Sequence, residues 1–161
     1  YYGDPTHRCV CTPGQIQRYM NKISGPLLDR IDIQCEISPV PFKDISKAAP
    51  GEPSARIRER VIRAREIQAE RFKDFKGIHC NAQMTERMIH QFAEPTEEGI
   101  NLLRMAMEKL SLSARAYNRI LKVARTIADL AGSQQIEPQH LAEAIGYRTL
   151  DRGDWAERGH F

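Results

Sequence analysis

The sequence predicts a mainly α-helical protein, a helical bundle preceded by the end of an α/β domain that contributes one strand. Three observations favour this fold class. After residue 53, apolar residues recur at every third or fourth position through most of the chain, which is the period of amphipathic helices. Residues 48–53 are rich in proline, alanine and glycine, a composition typical of a linker. Before this linker, apolar and polar residues alternate over residues 31–37, the pattern of a half-buried strand.

The segment before the linker, residues 1–48, is predicted to be the end of an α/β domain. A helix is predicted to begin at Pro13, because threonine at position 12 is a good N-cap and proline fits the first helical position. Residues 27–30 predict a short helical turn before the strand. A single strand must pair with a sheet, and the chain begins at Tyr1 rather than Met. We therefore expect a piece of a longer protein whose earlier part carries the sheet.

Helices are predicted throughout the chain after the linker, and together they form a bundle over residues 54–150. They cover residues 54–75, 85–92, 97–110, 111–132 and a last stretch that starts at 136–138 and reaches residue 145. The predicted core-facing side of the first of these helices consists of Ile57, Val61, Ala64, Gln68, Phe72 and Phe75. A bundle of about one hundred residues can bury its own core. The chain from Gly146 onwards is predicted to be polar, with residues 151–161 as a tail outside the bundle.

The helix over residues 111–132 has the strongest pattern. Its predicted core-facing stripe consists of Tyr117, Ile120, Leu121, Ala124, Ile127, Ala128 and Ala131. Its predicted solvent-facing side consists of Arg115, Asn118, Arg119, Lys122, Arg125, Thr126 and Asp129. Ser111 or Ser113 is placed to cap the start of the helix, and Gly132 is placed to end it. This segment is the best-defined helix of the predicted bundle.

Arg115 and Arg119 lie in or near the first turn of this helix. A helix start disfavours a cation through its dipole, while its exposed backbone N–H groups favour an anion. The position therefore suggests an anionic partner. A long arginine that simply extends into water fits the same pattern, and on the pattern alone this second interpretation is favoured.

The composition argues against a membrane-spanning protein and gives little support to a nucleic-acid binder. No apolar run approaches the ~20 residues of a transmembrane helix, so we expect a soluble, cytoplasmic protein with no membrane partner. The net charge is only +3, although residues 54–76 and 111–132 are locally basic. Acidic residues partly balance the arginines of the first of these segments, which favours a solvated charged face over a dedicated nucleic-acid stripe.

Four cysteines are scattered through the chain at Cys9, Cys11, Cys35 and Cys80, and we expect them to be reduced. Cys9 and Cys11, with His7 nearby, are candidate zinc ligands. A structural zinc site is tetrahedral and needs a fourth ligand, and inert thiols are the alternative interpretation. We therefore expect no metal or cofactor to be bound to this piece alone.

Three segments resemble blocks of one known family. They run Cys-x-Cys-Thr-Pro-x-x-Ile-x-x-Tyr-x-x-Lys-Ile-Ser-Gly-Pro-Leu-Leu-Asp-Arg-Ile-Asp from Cys9, Arg-x-Arg-Val-x-x-Ala-Arg-x-x-Gln-x-x-Arg-Phe from Arg58, and Leu-Ser-Ala-Arg-Ala-Tyr-x-Arg-Ile-Leu-x-Val-Ala-Arg-Thr-Ile-Ala-Asp-Leu from Leu112. The segments resemble the C-terminal third of the bacterial magnesium-chelatase-like AAA+ ATPases of the YifB/ComM group. The resemblance implies that residues 1–48 end the nucleotide-binding α/β domain. It also implies that residues 49–53 are a linker and residues 54–150 the helical lid.

The resemblance assigns roles to individual arginines. Arg30 matches the family's arginine finger, which reaches the nucleotide of a neighbouring subunit. Arg115 matches the sensor-2 arginine, which contacts the γ-phosphate of ATP held by its own subunit, and Arg119 is expected to bind the nucleotide beside it. Guanidinium groups suit both roles, because they are permanently charged and present several donors to phosphate oxygens.

The resemblance also implies ATP and Mg²⁺ as ligands of the full-length protein. The family carries its phosphate-binding loop and its Mg²⁺-binding acidic pair upstream, so we expect this piece alone to be inactive. A further cysteine pair upstream in the family would strengthen the zinc hypothesis for the intact protein. Self-association, with a hexameric ring as the expected form, and DNA as a partner follow from the same resemblance.

The leading functional hypothesis is the lid of an oligomeric ATPase that remodels DNA or drives branch migration, as in the competence-associated members of the family. A second hypothesis is a non-catalytic helical interaction module. A third is the motor subunit of a magnesium chelatase.

Overall fold

The computed structural model describes residues 9–35, 37, 40, 42–46, 50–110 and 112–148, and all structural statements below concern these residues. The described chain is mainly helical, as predicted. Its α-helices are α1 (Pro13–Met20), α2 (Gly25–Leu28), α3 (Phe42–Ser46), α4 (Ser54–Phe72), α5 (Glu86–Phe92), α6 (Glu97–Leu110), α7 (Ala114–Ala131) and α8 (Pro138–Gly146), with a 3₁₀ turn at Asn81–Gln83. None of the helices in these residues is long and apolar enough to cross a lipid bilayer.

The helix predicted to start at Pro13 is confirmed as α1. Thr12 and Gln15 form a capping box: the Thr12 hydroxyl accepts from the Gln15 backbone N–H, and Gln15 Oε1 accepts from the Thr12 backbone N–H at 2.8 Å. This reciprocal pair satisfies two amide groups that a helix start leaves free. The short helical turn predicted at residues 27–30 is present as α2, two residues earlier. The helix α3 was not predicted.

The predicted strand is wrong for the described part of residues 31–37. Residues 31–35 have no regular secondary structure, and Ile31, Ile33 and Ile37 are 40%, 52% and 88% exposed. A strand needs a neighbour to bond to its backbone, and the described residues contain no other strand. Instead, the Gln34 backbone N–H donates to the Tyr147 carbonyl after α8, at 2.9 Å. The alternating segment therefore lies against the bundle.

The core forms around α7, which packs against α4, α5, α8 and the 3₁₀ turn. Four of the apolar residues predicted to face inward from α7 are fully buried: Ile120, Leu121, Ala124 and Ala128. Tyr117 and Ile127 are half-buried, while Ala131 is exposed. Around this helix the rings of Phe72, Phe75 and Phe92 meet edge to face, with centroids 5.7–6.5 Å apart, a favoured arrangement of aromatic side chains.

The first half of α4 lies outside this core. Ala64, Gln68 and Phe72 are buried as predicted, but Ile57 and Val61 on the same side are each 42% exposed. The helix also ends at Phe72, before the predicted end at residue 75. In the described part of the chain, every residue from 51 to 63 is exposed. Of the predicted core-facing side of α4, therefore, the C-terminal half is buried by the bundle and the N-terminal half is exposed.

The sequence-based assignment of Arg125 and Asp129 to the exposed side of α7 is wrong. These side chains are only 4% and 0% exposed, and their ion pair is 3.0 Å long. Arg71 of α4 binds both oxygens of the Asp129 carboxylate, at 2.7 and 2.5 Å, and Asn81 donates to it at 2.8 Å. Burial lowers the pKa of Arg125 from its ordinary value, and the negative charge of Asp129 opposes that shift. Neighbouring segments thus bury charged residues that their helix alone would leave exposed.

Arg125 also fixes the turn that leads to α8. Its Nη1 donates to the Gln134 carbonyl at 2.8 Å and its Nη2 to the Ser133 carbonyl at 2.6 Å. The helix itself ends as predicted, because Gly132 has φ of 71°, the left-handed conformation that glycine adopts at low cost. The end of α7 is therefore set by a glycine and held by a buried arginine.

We expect Asp129→Asn to lower the free energy of unfolding of the 161-residue chain by about 3–5 kcal/mol, the typical effect of removing one partner from a buried ion pair. The change leaves Arg71 and Arg125 close together without their shared anion. Urea unfolding followed by circular dichroism measures the effect. The matched control is Glu70→Gln, which removes the exposed α4 contact with Lys73 and is expected to leave the urea midpoint nearly unchanged. An equal shift for both variants would contradict the prediction.

Candidate functional site

A cleft of about 540 Å³ lies along the polar side of α7. Its apolar wall includes Met84, Ile89, Val123 and Ile127, and its cations are Arg115, Arg119 and Lys122, with Asn118 beside them. Carboxylates of Asp32, Glu86 and Glu143 also line it. The three cations follow one another at helical spacing, so they lie on the same side of α7. The cleft therefore combines an apolar wall with a row of positive charges.

The start of α7 places Arg115 at this cleft. Ser113 is the N-cap, as one of the two predicted alternatives, and its hydroxyl accepts from the Ala116 backbone N–H at 3.2 Å; Ser111 lies outside the described residues. Arg115 is exposed and makes no hydrogen bond or ion pair with any residue that the structure describes. The cation at the helix start is thus available to an anion from outside this part of the chain.

The other two cations of the row already have partners. Arg119 forms an ion pair with Asp32, although its Nε is shielded from solvent without a hydrogen-bond partner in the described residues. Lys122 donates to the Ala82 carbonyl at 2.9 Å. Partial burial lowers the pKa of Lys122, and the charge of Arg119 lowers it further. Of the three, Arg115 is the cation best placed to receive a new charged ligand.

Arg30, the other arginine singled out from the sequence, does not line this cleft. It is exposed in the turn after α2, and its Nη1 donates to the Pro26 carbonyl at 2.6 Å. Its neighbour Asp29 accepts a hydrogen bond from the Ser113 hydroxyl at 3.0 Å. Because Ser113 is two positions before Arg115, this hydrogen bond joins the segment that carries Arg30 to the segment that carries Arg115.

The metal hypothesis concerns the loop before α1. Cys9 is half-buried and Cys11 exposed, and both are free thiols. The pKa of Cys11 is raised, first by a hydrogen bond with Cys9 and then by the charge that Cys9 would carry. His7 lies outside the described residues. Within the residues that are described, no group of three or more His, Cys, Asp and Glu side chains is arranged to hold a metal ion, so the zinc site stays a hypothesis.

Several residues of the site were missed from the sequence. Asn118 and Lys122 lie on the predicted side of α7 and line the cleft, a role that the sequence pattern does not predict for them. Asp32 also lines it, whereas the sequence pattern predicts only a polar position of a strand there. A charge count could have suggested Asp32 as a partner for a basic helix. Arg148 is fully buried, which corrects the prediction that the chain is polar and outside the core from Gly146 onwards. No local pattern signals that burial, because Ile31 and Asp29, which its guanidinium contacts, are more than one hundred residues away.

Two family models match the chain. The model described as "Magnesium chelatase, subunit ChlI C-terminal" matches residues 51–148, and the model "Magnesium chelatase, subunit ChlI" matches residues 1–45. These ranges contain Arg115 and Arg30 respectively. The match to the first model covers more than half of the chain.

Curated relatives agree with the family models. The chain is 45% identical over 142 residues to the competence protein ComM of Haemophilus influenzae and 45% identical over 143 residues to YifB of Escherichia coli. It is 43% identical over 143 residues to YifB of Salmonella typhimurium. Each alignment covers 88% of this chain but only 27% of the relative. The helical bundle and these matches show that the chain belongs to the magnesium chelatase ChlI-like family, of which it represents the C-terminal portion.

Proposed function

We propose that this chain is the C-terminal part of an oligomeric AAA+ ATPase and supplies arginines for ATP hydrolysis. Membership of the ChlI-like family supports an AAA+ assignment. The observation that carries the proposal is Arg115, a permanently charged group at a capped helix start, beside a cleft and without an anionic partner in the described residues. A guanidinium in this position is suited to a phosphate.

The row of cations on α7 supports Arg115 as the sensor-2 arginine. A γ-phosphate at Arg115 would also lie near Arg119 and Lys122, which add positive charge on the same side of the helix. Asp32 already pairs with Arg119. Arg119 would therefore donate to the phosphate with only some of the N–H groups of its guanidinium. The Mg²⁺ ligands are expected from the rest of the protein, because the described residues hold no carboxylate cluster for a metal.

Arg30 is proposed as the arginine finger, which stabilises the charge that builds up during phosphoryl transfer. The family resemblance assigns Arg30 to a neighbour's nucleotide and Arg115 to the subunit's own. The hydrogen bond between Asp29 and Ser113 favours a different arrangement. It joins the side chains of Asp29 and Ser113, which lie one and two positions before the two arginines. Two guanidinium groups on segments that are joined in this way reach one nucleotide more easily than two nucleotides on opposite sides of a subunit. We therefore assign both to the nucleotide of the neighbouring subunit.

We also propose that hydrolysis is coupled to DNA remodelling or branch migration in a self-assembled ring. The H. influenzae relative is named a competence protein. On α4, Arg56, Arg58, Arg63 and Arg65 are exposed, and such arginines can contact DNA phosphates without reading sequence. Stimulation of the full-length ATPase by branched or single-stranded DNA tests this coupling.

The family description supports a second candidate, the motor of a magnesium chelatase. Both candidates use the same ATP chemistry and differ in what the ring acts on. ATPase stimulation by a porphyrin together with its chelatase partner, and none by DNA, would favour this second candidate.

We expect the 161-residue chain alone to neither bind ATP tightly nor hydrolyse it. The phosphate-binding loop of the family lies upstream, and the described residues offer cations but no Mg²⁺ site. Isothermal titration calorimetry and a phosphate-release assay measure the two properties. Micromolar affinity or measurable turnover would show that the active site has been placed in the wrong part of the protein.

In the full-length protein, we expect Arg30→Ala and Arg115→Ala to keep the fold and to lose ATPase activity. Both side chains are exposed, so their removal leaves no cavity in the bundle. An arginine finger contributes ~10³–10⁵ to the rate in related reactions, so the loss at Arg30 should be of this order. The matched control is Arg104→Ala, which removes an exposed arginine of α6 whose one hydrogen bond within the described residues is to Asn101. Full activity in both variants, or a comparable loss in the control, would contradict the proposal.

Mixed oligomers are expected to show which nucleotide each arginine serves. Each variant is mixed with a subunit that is inactive in its phosphate-binding loop but keeps both arginines, and ATP turnover is measured. Because each variant subunit has a sound pocket and receives both arginines from its neighbour, turnover should return for Arg30→Ala and for Arg115→Ala. Rescue of Arg30→Ala alone would assign Arg115 to its own subunit. Rescue of neither, in oligomers shown to be mixed, would exclude a role across the interface.

A further inference from the structure

We infer that Arg148 is a positioning residue that fixes Arg30 in its working orientation. This inference rests on the proposed function of Arg30. Arg148 follows α8 and is 0% exposed, while Arg30 is exposed after α2. The two residues are far apart in sequence, and nothing in the local pattern around Arg148 suggests a role in catalysis.

The guanidinium of Arg148 contacts the chain on both sides of Arg30. Its Nη1 donates to the Ile31 carbonyl at 2.5 Å, and its Nη2 lies 3.6 Å from Asp29 Oδ1 in an ion pair. The residues directly before and after the proposed finger are therefore held by one side chain. A guanidinium can do this because its donors form a rigid, planar fork.

Three other contacts fasten the same segment to the bundle. Ser113 donates to Asp29, Arg119 pairs with Asp32, and the Gln34 backbone N–H donates to the Tyr147 carbonyl. Leu28 and Gln34 at the two ends of the segment are 8% and 6% exposed. Residues 28–34 are thus seated on the bundle with Arg30 exposed in the middle. Arg148 is the buried contact nearest to Arg30.

Stability alone is a weak reason for a buried arginine at this place. Taking a guanidinium out of water costs free energy, and an ion pair does not always recover it. The geometry gives a stronger reason, because the position of a catalytic group must be set to within about 1 Å, and a displacement of that size can cost about 10²-fold in rate. Arg148 holds the Asp29 carboxylate before Arg30 and the Ile31 carbonyl after it, so its loss should displace the finger without altering the pocket that binds ATP.

The test compares Arg148→Lys with wild type in the full-length protein. Lysine keeps the charge but lacks the fork, so it cannot hold Ile31 and Asp29 in the same way. We expect kcat to fall by about 10²-fold, while KM for ATP stays within about twofold, since ATP binding does not depend on the finger. Arg148→Met is a second variant that also removes the charge; circular dichroism establishes whether it folds, and Arg148→Lys decides the result if it does not.

Mixing identifies the residue through which Arg148 acts. In oligomers with the phosphate-loop-inactive partner, an Arg148→Lys subunit receives a correctly held Arg30 from its neighbour. Its turnover should therefore return as it does for Arg30→Ala. A defect confined to the variant subunit's own pocket would not be rescued in this way.

The matched control is Arg125→Lys, which alters another buried arginine of the bundle. Arg125 contacts Asp129 and the carbonyls of Ser133 and Gln134, whereas Arg30 bonds to the Pro26 carbonyl. The Arg125→Lys change should lower the unfolding temperature and leave kcat of the folded protein unchanged.

The outcomes separate the inference from the proposed function. Unchanged kcat in Arg148→Lys, an equal fall in Arg125→Lys, or rescue of Arg30→Ala without rescue of Arg148→Lys would each overturn the positioning role. Failure to rescue Arg30→Ala itself would overturn the proposed trans role of the finger, and the inference with it.

Discussion

The arrangement of the bundle depends on the hydrogen bonds and ion pairs that the carboxylate of Asp129 accepts. Arg71 brings α4 to it, Asn81 brings the 3₁₀ turn, and Arg125 links it to the turn before α8. Each of these donors is charged or fully buried, so each contact is stronger than a hydrogen bond at the surface. One side chain therefore positions α4 and the 3₁₀ turn, both distant from α7 in sequence, and is linked through Arg125 to the turn that follows α7. The apolar core closes around these contacts.

The function proposed for α7 follows from having different partners on its two sides. Its apolar side is enclosed by the core, so the helix cannot rotate to hide its cations. On the other side, Asp32 neutralises Arg119 and the Ala82 carbonyl binds Lys122. Without these partners, three adjacent cations would repel one another at a helix start that already disfavours them. The pairing of two cations makes the third, Arg115, tolerable as an exposed charge.

The sequence predicted those features of the fold that depend on neighbouring residues. The period of apolar residues identified α7, the threonine before Pro13 identified the start of α1, and Gly132 identified the end of α7. Each of these signals acts within one or two helical turns. The helical bundle was therefore predictable, and so was the side of α7 that carries Arg115.

The features that were predicted wrongly depend on contacts between distant residues. Residues 31–35 alternate like a strand but have no strand to pair with in the described chain. Asp129 has a charged residue's preference for solvent, and only the approach of Arg71 makes its burial favourable. The same limit explains why Arg148 was missed, since Ile31, its partner, is 117 positions away. Periodicity gives the face of a helix but not the identity of the group that covers it.

The contacts of residues 28–34 determine which part of the molecule carries Arg30. These residues precede the linker in sequence, yet Asp29, Asp32 and Gln34 are bonded to α7 and to the end of α8. Residues 50–53 between the two parts are exposed and have no regular secondary structure. Under the proposed function, Arg30 would then move with the helical bundle and with Arg115. A shift of the bundle would displace both arginines together, because Arg148, Ser113, Arg119 and the Tyr147 carbonyl all bond residues 28–34 to the bundle.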